Sequence, residues 1–314
     1  MKLGPIEDLD AWAAEAKEKI DGRPVVASIS GGKDSTAMGL LLRHAGIPFR
    51  AIHFDTGWEH PETEKYVRTV VPEAIGTEVE ILRGKYDGMI DLVRKRGLFP
   101  GARRRFCTEE LKVFPAKKLL NSYTDSEPVN AVGIRAAESK TRSKYPEWEE
   151  SQQMNCEVWR PLIRWSEQDV IDVHRQFNIP PNPLYLLGAE RVGCWPCVYS
   201  RKSELRLIGE ISPERVALIR ELEAEVTQIT KKKVEARGDE FNGLPVSMFK
   251  RQVRGSYTSF PIDQVMEWSK TSRGGKQFEL FAPDGAQAGC MRWGLCETVA
   301  DDGDMGWATD EDKE

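Results

Sequence analysis

The sequence predicts an α/β protein in which helices cover both faces of an open, mostly parallel sheet, followed by a smaller, mainly helical C-terminal region. Short apolar runs rich in β-branched residues alternate with helical stretches as far as Phe177, and this alternation is typical of βαβ units. It stops at the proline-rich segment 179–183, because each proline fixes its own φ and disfavours helix in the residue before it.

Local signals predict each element of the sheet domain. Apolar runs predict strands at residues 25–30, 49–54, 79–82, 129–134 and 158–163. Helical spacing of apolar residues predicts helices at 34–44, 61–71, 86–96, 108–120 and 166–177. Pro61 occupies a first helical position, and Thr108 and Ser166 are predicted N-caps.

Three regions follow from this pattern. Residues 1–21 are expected to form an N-terminal helix, residues 22–185 the sheet domain, and residues 186–314 a cysteine-bearing, mainly helical region. Two helical stretches are predicted in the last region, at 201–209 and 212–236. The chain closes on the acidic run 310–314, a composition that favours disorder.

Composition narrows the class of protein. The 314 residues are 40% hydrophobic and 30% charged, and no apolar run approaches the ~20 residues that span a bilayer. The N-terminal stretch is amphipathic and acidic, unlike a signal or transit peptide. We therefore expect a cytoplasmic protein with no membrane partner, and nothing in the sequence specifies its oligomeric state.

Charge gives no global signature of nucleic-acid binding, because the formal net charge is −5. Two basic clusters stand out locally, at residues 103–105 and 231–233. The lysine cluster lies in a helical stretch of alternating charge and is interpreted as a solvated face. The arginine cluster directly precedes a cysteine segment, so both a surface role and a functional role stay open.

The most informative motif is Ser30-Gly31-Gly32-Lys33-Asp34-Ser35, which follows a predicted strand and opens a predicted helix. Glycines let backbone N–H groups approach an oxyanion, and the helix N-terminus adds partial positive charge. Lys33 adds a full charge and is expected to be partly exposed, with little packing around it. An SGG turn can also be only a tight connection, but the lysine and two hydroxyl residues favour phosphate binding.

This loop and the segments after it resemble a known family. SGGKDS is the signature of the PP-loop ATP pyrophosphatases, and the order of the other segments resembles their phosphoadenosine phosphosulfate (PAPS) reductase branch, from about Val25 to Cys197. The matching segments are His53-Phe54-Asp55-Thr56-Gly57-Trp58 with Pro61-Glu62-Thr63, Cys107-Thr108 with Leu111-Lys112 and Pro115, Gly133-Ile134-Arg135 with Glu138-Ser139 and Arg142, Arg160-Pro161-Leu162 with Trp165 and Asp169-Val170, Asn182-Pro183-Leu184-Tyr185, and Gly193-Cys194-Trp195-Pro196-Cys197.

The resemblance implies a Rossmann-like, adenine nucleotide alpha hydrolase-like fold and a set of site residues. Residues 30–35 would cradle the phosphates of an adenine nucleotide, with Mg²⁺. Asp55 would lie at the tip of the second strand, and Gly133 would belong to the nucleotide-binding site. Arg135 and Arg142 would approach the phosphates from the far side, as suits a planar guanidinium. The implied catalytic residues are Lys33, Asp34, Asp55 and Arg135.

The cysteines suggest a metal centre. Cys194 and Cys197 are two residues apart on a bend, as chelation of one metal requires, although such a pair can also be a redox dithiol. By the resemblance, Cys107 is a third ligand of an iron–sulfur (4Fe–4S) cluster. The fourth must come from elsewhere in the chain, and we expect Cys290 or Cys296. Iron–sulfur members carry two adjacent cysteines at the first position, and this chain has only Cys107, so zinc is the alternative. Cys156 is interpreted as a buried structural thiol.

Three functions are compatible with these motifs. In the first, ATP is attacked at its α-phosphate, pyrophosphate leaves, and a sulfur donor such as a cysteine desulfurase or a thioredoxin-like protein replaces AMP on a nucleic-acid acceptor. In the second, the chain reduces PAPS or adenylylsulfate (APS) with a nucleophilic cysteine, but the family's C-terminal E-C-G-L-H motif is missing. The third is a nucleotide-binding module without turnover. The intact loop favours ATP and the first function.

Overall fold

A computed structural model describes residues 8–272 and Trp293. Its main sheet has six strands in the order β3-β2-β1-β4-β6-β5. All neighbours in it are parallel except β5 and β6, which pair antiparallel. The strands are β1 Val25–Ser28, β2 Phe49–Phe54, β3 Val79–Leu82, β4 Val129–Val132, β5 Trp148–Ser151 and β6 Cys156–Trp159. The predicted α/β class is therefore confirmed.

Helices connect these strands and continue beyond them. They are α1 Leu9–Ile20, α2 Lys33–His44, α3 Pro61–Ile75, α4 Gly88–Arg96, α5 Phe106–Thr108, a π-helical turn Glu109–Val113, α6 Phe114–Leu120, α7 Glu167–Gln176, α8 Pro183–Leu186, α9 Lys202–Ile211, α10 Pro213–Glu235 and α11 Ile262–Ser269. An antiparallel hairpin, β7 Phe249–Val253 and β8 Ser256–Phe260, precedes α11. None of the helices within residues 8–272 is long and apolar enough to cross a membrane.

Some local predictions were wrong. Thr108 does not cap a helix, because it has helical dihedrals and its hydroxyl accepts a hydrogen bond from Arg105 at 3.1 Å. The strand predicted at 158–163 ends at Trp159, since Pro161 offers no N–H for a ladder. Strand β5 and the β7–β8 hairpin were not predicted. Ser166 does cap α7, accepting a hydrogen bond from Asp169 N–H at 3.1 Å.

Two hydrophobic clusters determine where the site lies. One packs α1, α2, α3 and α7 against the sheet around β1 and β4. The other joins Trp58, Leu111 and Trp195 to apolar side chains of α4, α9, α10 and α11. Because Trp58 follows β2 closely, the second cluster lies beyond the carboxyl end of that strand, where open α/β sheets bind their ligands.

Candidate functional site

The connection from β1 to α2 requires glycine. Gly31 has φ +74°, and a Cβ on it would lie 2.6 Å from Val67 Cγ2, so both its conformation and its surroundings exclude a side chain. Gly32 is the N-cap of α2 and supplies no side-chain acceptor for the first turn. The first turn of α2 thus has no side-chain acceptor from its own N-cap, which suits this end of the helix to an anion.

Two hydroxyl groups hold the shape of this loop. Ser35 Oγ donates to Gly32 O at 3.0 Å and accepts from Ser30 N–H at 3.0 Å. The Ser30 hydroxyl lies 3.0 Å from Ser35 Oγ and can donate to it. The loop is therefore closed by its own first and last residues before any ligand arrives.

Lys33 corrects the expectation of an exposed lysine. Its side chain is only 5% exposed. The ammonium group donates to Glu190 O at 3.2 Å, pairs with Glu167 at 3.1 Å and lies 4.8 Å from the centre of the Tyr185 ring. These contacts tie the ammonium group to segments outside the loop, so Lys33 has a structural role in addition to any role in binding phosphate.

Three side chains between residues 174 and 185 form hydrogen bonds with the backbone of the loop. Tyr185 hydroxyl accepts from Lys33 N–H at 3.0 Å, and Asn182 donates to Gly31 O at 3.1 Å. His174 Nε2 lies 2.9 Å from Lys33 O, and burial lowers the pKa of His174 to about 4. Because a carbonyl only accepts, the neutral ring must donate from Nε2. Sequence reasoning noticed Asn182 and Tyr185 only as matched motif residues and missed His174.

Asp34, Gly133 and Arg135 meet beside the loop. The buried Arg135 guanidinium pairs with the Asp34 carboxylate. Burial raises the pKa of Asp34, and the charges of Arg135 and Lys33 oppose that shift. A Cβ on Gly133 would lie 2.8 Å from both Asp34 O and Ser35 Cα. Glycine there allows the end of β4 to touch the first turn of α2.

Arg142 has no described contact with the Ser30–Ser35 loop. Its side chain is 38% exposed and pairs with Glu138, whose carboxylate also accepts from Arg135 N–H at 2.7 Å. Among the contacts described for residues 8–272, Arg142 therefore reaches the loop only through Glu138 and Arg135. The structure brings Arg135 to the loop directly and Arg142 to its edge.

Asp55 ends β2 as predicted, and Arg83, which sequence reasoning missed, holds it there. Burial would raise the pKa of Asp55, but hydrogen bonds from Arg83 and Gly57 N–H lower it below its usual value. Two Arg83 nitrogens donate to Asp55 Oδ2, at 3.0 and 2.8 Å. Carboxylate oxygens of Asp55, Glu59 and Glu64 lie within 4.8 Å of one another, a donor set of the kind that Mg²⁺ accepts.

Three of the predicted metal ligands lie in neighbouring segments, although among the described residues their sulfur atoms do not all lie within 4.8 Å of one another. Cys107 lies in α5, and Cys194 forms a backbone bridge to Glu59, in the segment after β2. Burial raises the pKa of the Cys107 and Cys194 thiols, and the charge of Lys112, in the adjacent π-helical turn, opposes this shift for Cys194. Cys290 and Cys296 lie outside the described residues.

Two hydrogen bonds, one between backbone groups and one from an indole, hold the C-x-x-C segment in place. Trp195 N–H donates to Trp58 O at 2.8 Å, and Trp58 Nε1 donates to Pro196 O at 2.9 Å. The segment is thereby tied to the residues that follow β2. Cys156 is buried separately in β6, where burial raises the pKa of its thiol to about 11, consistent with a structural thiol.

A parallel sheet with a glycine-rich loop at the β1–α2 turn and polar side chains at its carboxyl edge defines a nucleotide-binding α/β protein. Residues 24–200 match the phosphoadenosine phosphosulfate reductase domain, and the chain belongs to that family. The family binds adenine nucleotides and includes enzymes of sulfur metabolism.

Three known proteins illustrate the similarity. The chain is 29% identical to a 37.8 kDa protein of the gpa 5′ region of Escherichia phage 186, covering 87% of this chain and 96% of that protein. It is 30% identical to the adenosine 5′-phosphosulfate reductase of Burkholderia cepacia, over 61% of this chain and 76% of that protein. The crystal structure of PAPS reductase from Candida auris aligns with a TM-score of 0.47 and 19% identity, over 59% of this chain and 88% of that one.

Proposed function

We propose that the chain cleaves ATP between its α- and β-phosphates. An acceptor oxygen attacks the α-phosphorus, the bond to the bridging oxygen breaks, and pyrophosphate leaves, so that the acceptor becomes linked to AMP. The observation that carries this proposal is the complete Ser30–Ser35 loop, in which the N-cap Gly32 offers no side-chain acceptor to the first turn of α2. A pyrophosphate leaving group needs such a multidentate anion site.

The surrounding residues have separate roles in this proposal. The loop N–H groups would hold the β- and γ-phosphates, and the hydroxyls of Ser30 and Ser35, which bond within the loop, would keep those groups in position. Arg135, buried beside Asp34, would stabilise charge that develops on the α-phosphate. Lys33, whose buried ammonium group contacts Glu190 O and Glu167, would add positive potential near the loop. Mg²⁺ would accompany the polyphosphate, with the carboxylates of Asp55, Glu59 and Glu64 as its nearest described donors.

We propose further that the activated acceptor receives sulfur, in the manner of nucleic-acid thiolation, from a cysteine desulfurase or a thioredoxin-like donor. Cys107, Cys194 and Cys197, with Cys290 or Cys296, would hold a 4Fe–4S cluster, or zinc in the alternative. The donor set suits such a group, because thiolates are its ligands and the charge of Lys112 favours the thiolate of Cys194 against the effect of burial. A bound cluster would supply a place to bind and orient sulfur.

Reduction of APS or PAPS is the second candidate, and the similarity to an adenosine 5′-phosphosulfate reductase favours it. That reaction needs a cysteine nucleophile that attacks the sulfate sulfur and displaces the adenine nucleotide. Cys296, in Gly294-Leu295-Cys296-Glu297, stands in a different order from the family's motif. The complete loop, suited to a β-phosphate that APS and PAPS lack, favours ATP.

One experiment separates the candidates. Anaerobically purified protein is incubated with α-labelled ATP, with APS and with PAPS in separate reactions, and the products are resolved. The proposal expects AMP and pyrophosphate from ATP. Release of ADP and inorganic phosphate would place cleavage at the wrong bond, and consumption of only APS or PAPS with a thiol reductant would establish the reductase instead.

A further inference from the structure

Two exposed basic segments form one surface beside the cysteines, here called the basic surface. The first is the loop Arg103–Arg105, and the second is the β7–β8 hairpin with Lys250, Arg251 and Arg254. All six side chains belong to exposed residues. The Arg103 guanidinium lies 5.1 Å from the centre of the Tyr257 ring, on β8. This contact joins the loop to the hairpin.

The basic surface has no local charge compensation. Residues 97–108 and 241–262 contain no Asp or Glu, although the whole chain carries a net charge of −5. Within residues 8–272, none of the six basic side chains forms an ion pair. By contrast, Lys231 in α10 pairs with Glu235 on the same helix. Positive charge left uncompensated in an acidic chain favours a polyanionic partner.

Exposed aromatic rings lie among these charges. Tyr257 is 55% exposed and Tyr199 is 44% exposed. The Arg105 guanidinium lies 5.3 Å from the centre of the Tyr199 ring, and the Tyr199 hydroxyl donates to Ala102 O at 2.8 Å. Arginine planes and tyrosine rings are the groups on which unpaired bases stack. A buried duplex base could not reach them.

The basic surface borders the cysteine site directly. Arg105 is two residues before Cys107, and Tyr199 is two residues after Cys197. A strand of phosphates lying across the arginines would therefore pass the three cysteines at close range.

We infer that the basic surface binds single-stranded nucleic acid and presents it to the cysteine site as the acceptor. The role of the nucleic acid as acceptor rests on the proposed function, whereas its binding rests on the charges and rings of the basic surface. The arginines and Lys250 would contact phosphates, while Tyr199 and Tyr257 would stack on bases.

The test uses the full chain and fluorescent oligonucleotides of one sequence, as single-stranded RNA, single-stranded DNA and duplex DNA. The variant R104Q/K250Q removes two charges from the basic surface, and the matched control K231Q/K232Q removes two from α10. For single strands, the slope of log K against log salt should fall in magnitude by about 1.4 in the first variant, at about 0.7 per charge. It should not change in the control.

Stacking is tested separately. Tyr257→Ala should weaken binding by roughly tenfold with an unchanged salt slope, and Tyr257→Phe, which keeps the ring, should bind like the wild type. Comparison of RNA with DNA decides which of the two the surface prefers. Duplex binding as tight as single-strand binding, or equal losses in both double variants, would overturn the inference.

Failure of the inference is distinguishable from failure of the proposed function. If the protein releases AMP and pyrophosphate from ATP but binds no oligonucleotide, only the inference about the basic surface is overturned. Oligonucleotide binding that responds to R104Q/K250Q, in a protein that releases no AMP or pyrophosphate, would support the surface and overturn the ATP reaction.

Discussion

Lys33 shows how a single side chain can serve both the fold and the proposed chemistry. We expect Lys33→Ala to abolish nucleotide turnover and also to lower the free energy of unfolding by about 2 kcal/mol, because hydrogen bonds of charged groups contribute roughly 1.5–3 kcal/mol. Its buried ammonium contacts Glu190 O and Glu167. Urea unfolding and product analysis measure the two effects. Wild-type turnover in the variant would contradict the proposed role.

His174 predicts a pH dependence of stability. Its pKa is lowered by burial to about 4, whereas an unfolded histidine binds a proton below about 6.5. Between these values the unfolded chain holds more protons, so the free energy of unfolding rises with pH. His174 stabilises the fold fully above pH 6.5, and this contribution is lost as the pH falls toward 4.

The His174→Gln variant isolates this contribution. Between pH 4 and 6.5, we expect the wild-type unfolding free energy to change by about 1.4 kcal/mol per pH unit more steeply than that of the variant. Chemical denaturation at a series of pH values measures both slopes. Parallel profiles would mean that His174 titrates alike in the folded and unfolded chains.

Residue identities along the motifs predicted much of this site, but not the partners of those residues. Ser30, Gly31, Lys33, Asp55 and Arg135 could be chosen because each stands in a local pattern. Nothing in the sequence indicated that Arg83 would bind Asp55 or that His174 would face Lys33 O. Those contacts join residues far apart in the chain, and tertiary packing alone creates them.

At the scale of elements, the β1–α2 and β4 connections meet at a close contact between backbones. Gly133→Ala should disrupt it, because the new Cβ would lie 2.8 Å from Asp34 O and 2.9 Å from Ser35 N. Backbone atoms cannot yield as a flexible side chain can, so the loop must shift. We expect nucleotide affinity to fall at least tenfold and stability to fall by about 1–3 kcal/mol.

Gly101→Ala is the matched control, since a Cβ there would have no neighbour within 4 Å. It should leave nucleotide affinity and unfolding unchanged. Equilibrium nucleotide binding and chemical denaturation serve both variants. Unchanged affinity in Gly133→Ala would show that the position of β4 against α2 is irrelevant to the loop.

Helices and strands were predictable where the pattern of apolar residues in the sequence matches the burial that the fold imposes. The central strand Val25–Ser28 of the parallel sheet begins with three buried apolar residues in succession, so both of its faces are apolar there and it stands out in the sequence. Strand β5, Trp148–Ser151, contains two glutamates and is a strand only because β6 offers a partner at the sheet edge. The β7–β8 hairpin is mostly exposed and lacks clear alternation, so periodicity could not reveal it.

At the scale of the whole molecule, the carboxyl edge of the sheet and the C-terminal helices share one set of contacts. Arg215 of α10 lies 4.8 Å from the centre of the Trp58 ring and donates to Glu59 O at 3.0 Å. Trp195 Nε1 donates to Ser212 Oγ, just before α10, at 3.0 Å. The predicted boundary near residue 185 therefore separates regions that are closely packed around the candidate metal site.

The metal prediction belongs at this scale, because its ligands come from both regions. Anaerobically purified protein should contain about four iron and four sulfide atoms and show a broad brown absorption. Cys107→Ser, Cys194→Ser and Cys197→Ser should each lose it, whereas Cys156→Ser should retain it, since Cys156 lies buried in β6. Iron and sulfide analysis measures the content of each variant.

The variants also separate the two metals. Colourless wild-type protein with one zinc atom per chain would contradict the iron–sulfur cluster but not metal binding by the cysteines. The same three variants should then lose zinc. Retention of metal in both Cys194→Ser and Cys197→Ser would reject the chelate itself. Since the C-x-x-C segment is bound to Trp58 through backbone and indole hydrogen bonds, its position should survive loss of a thiol. A change in metal content would therefore report on ligation rather than on unfolding, and the unchanged far-UV circular dichroism of each variant would verify this.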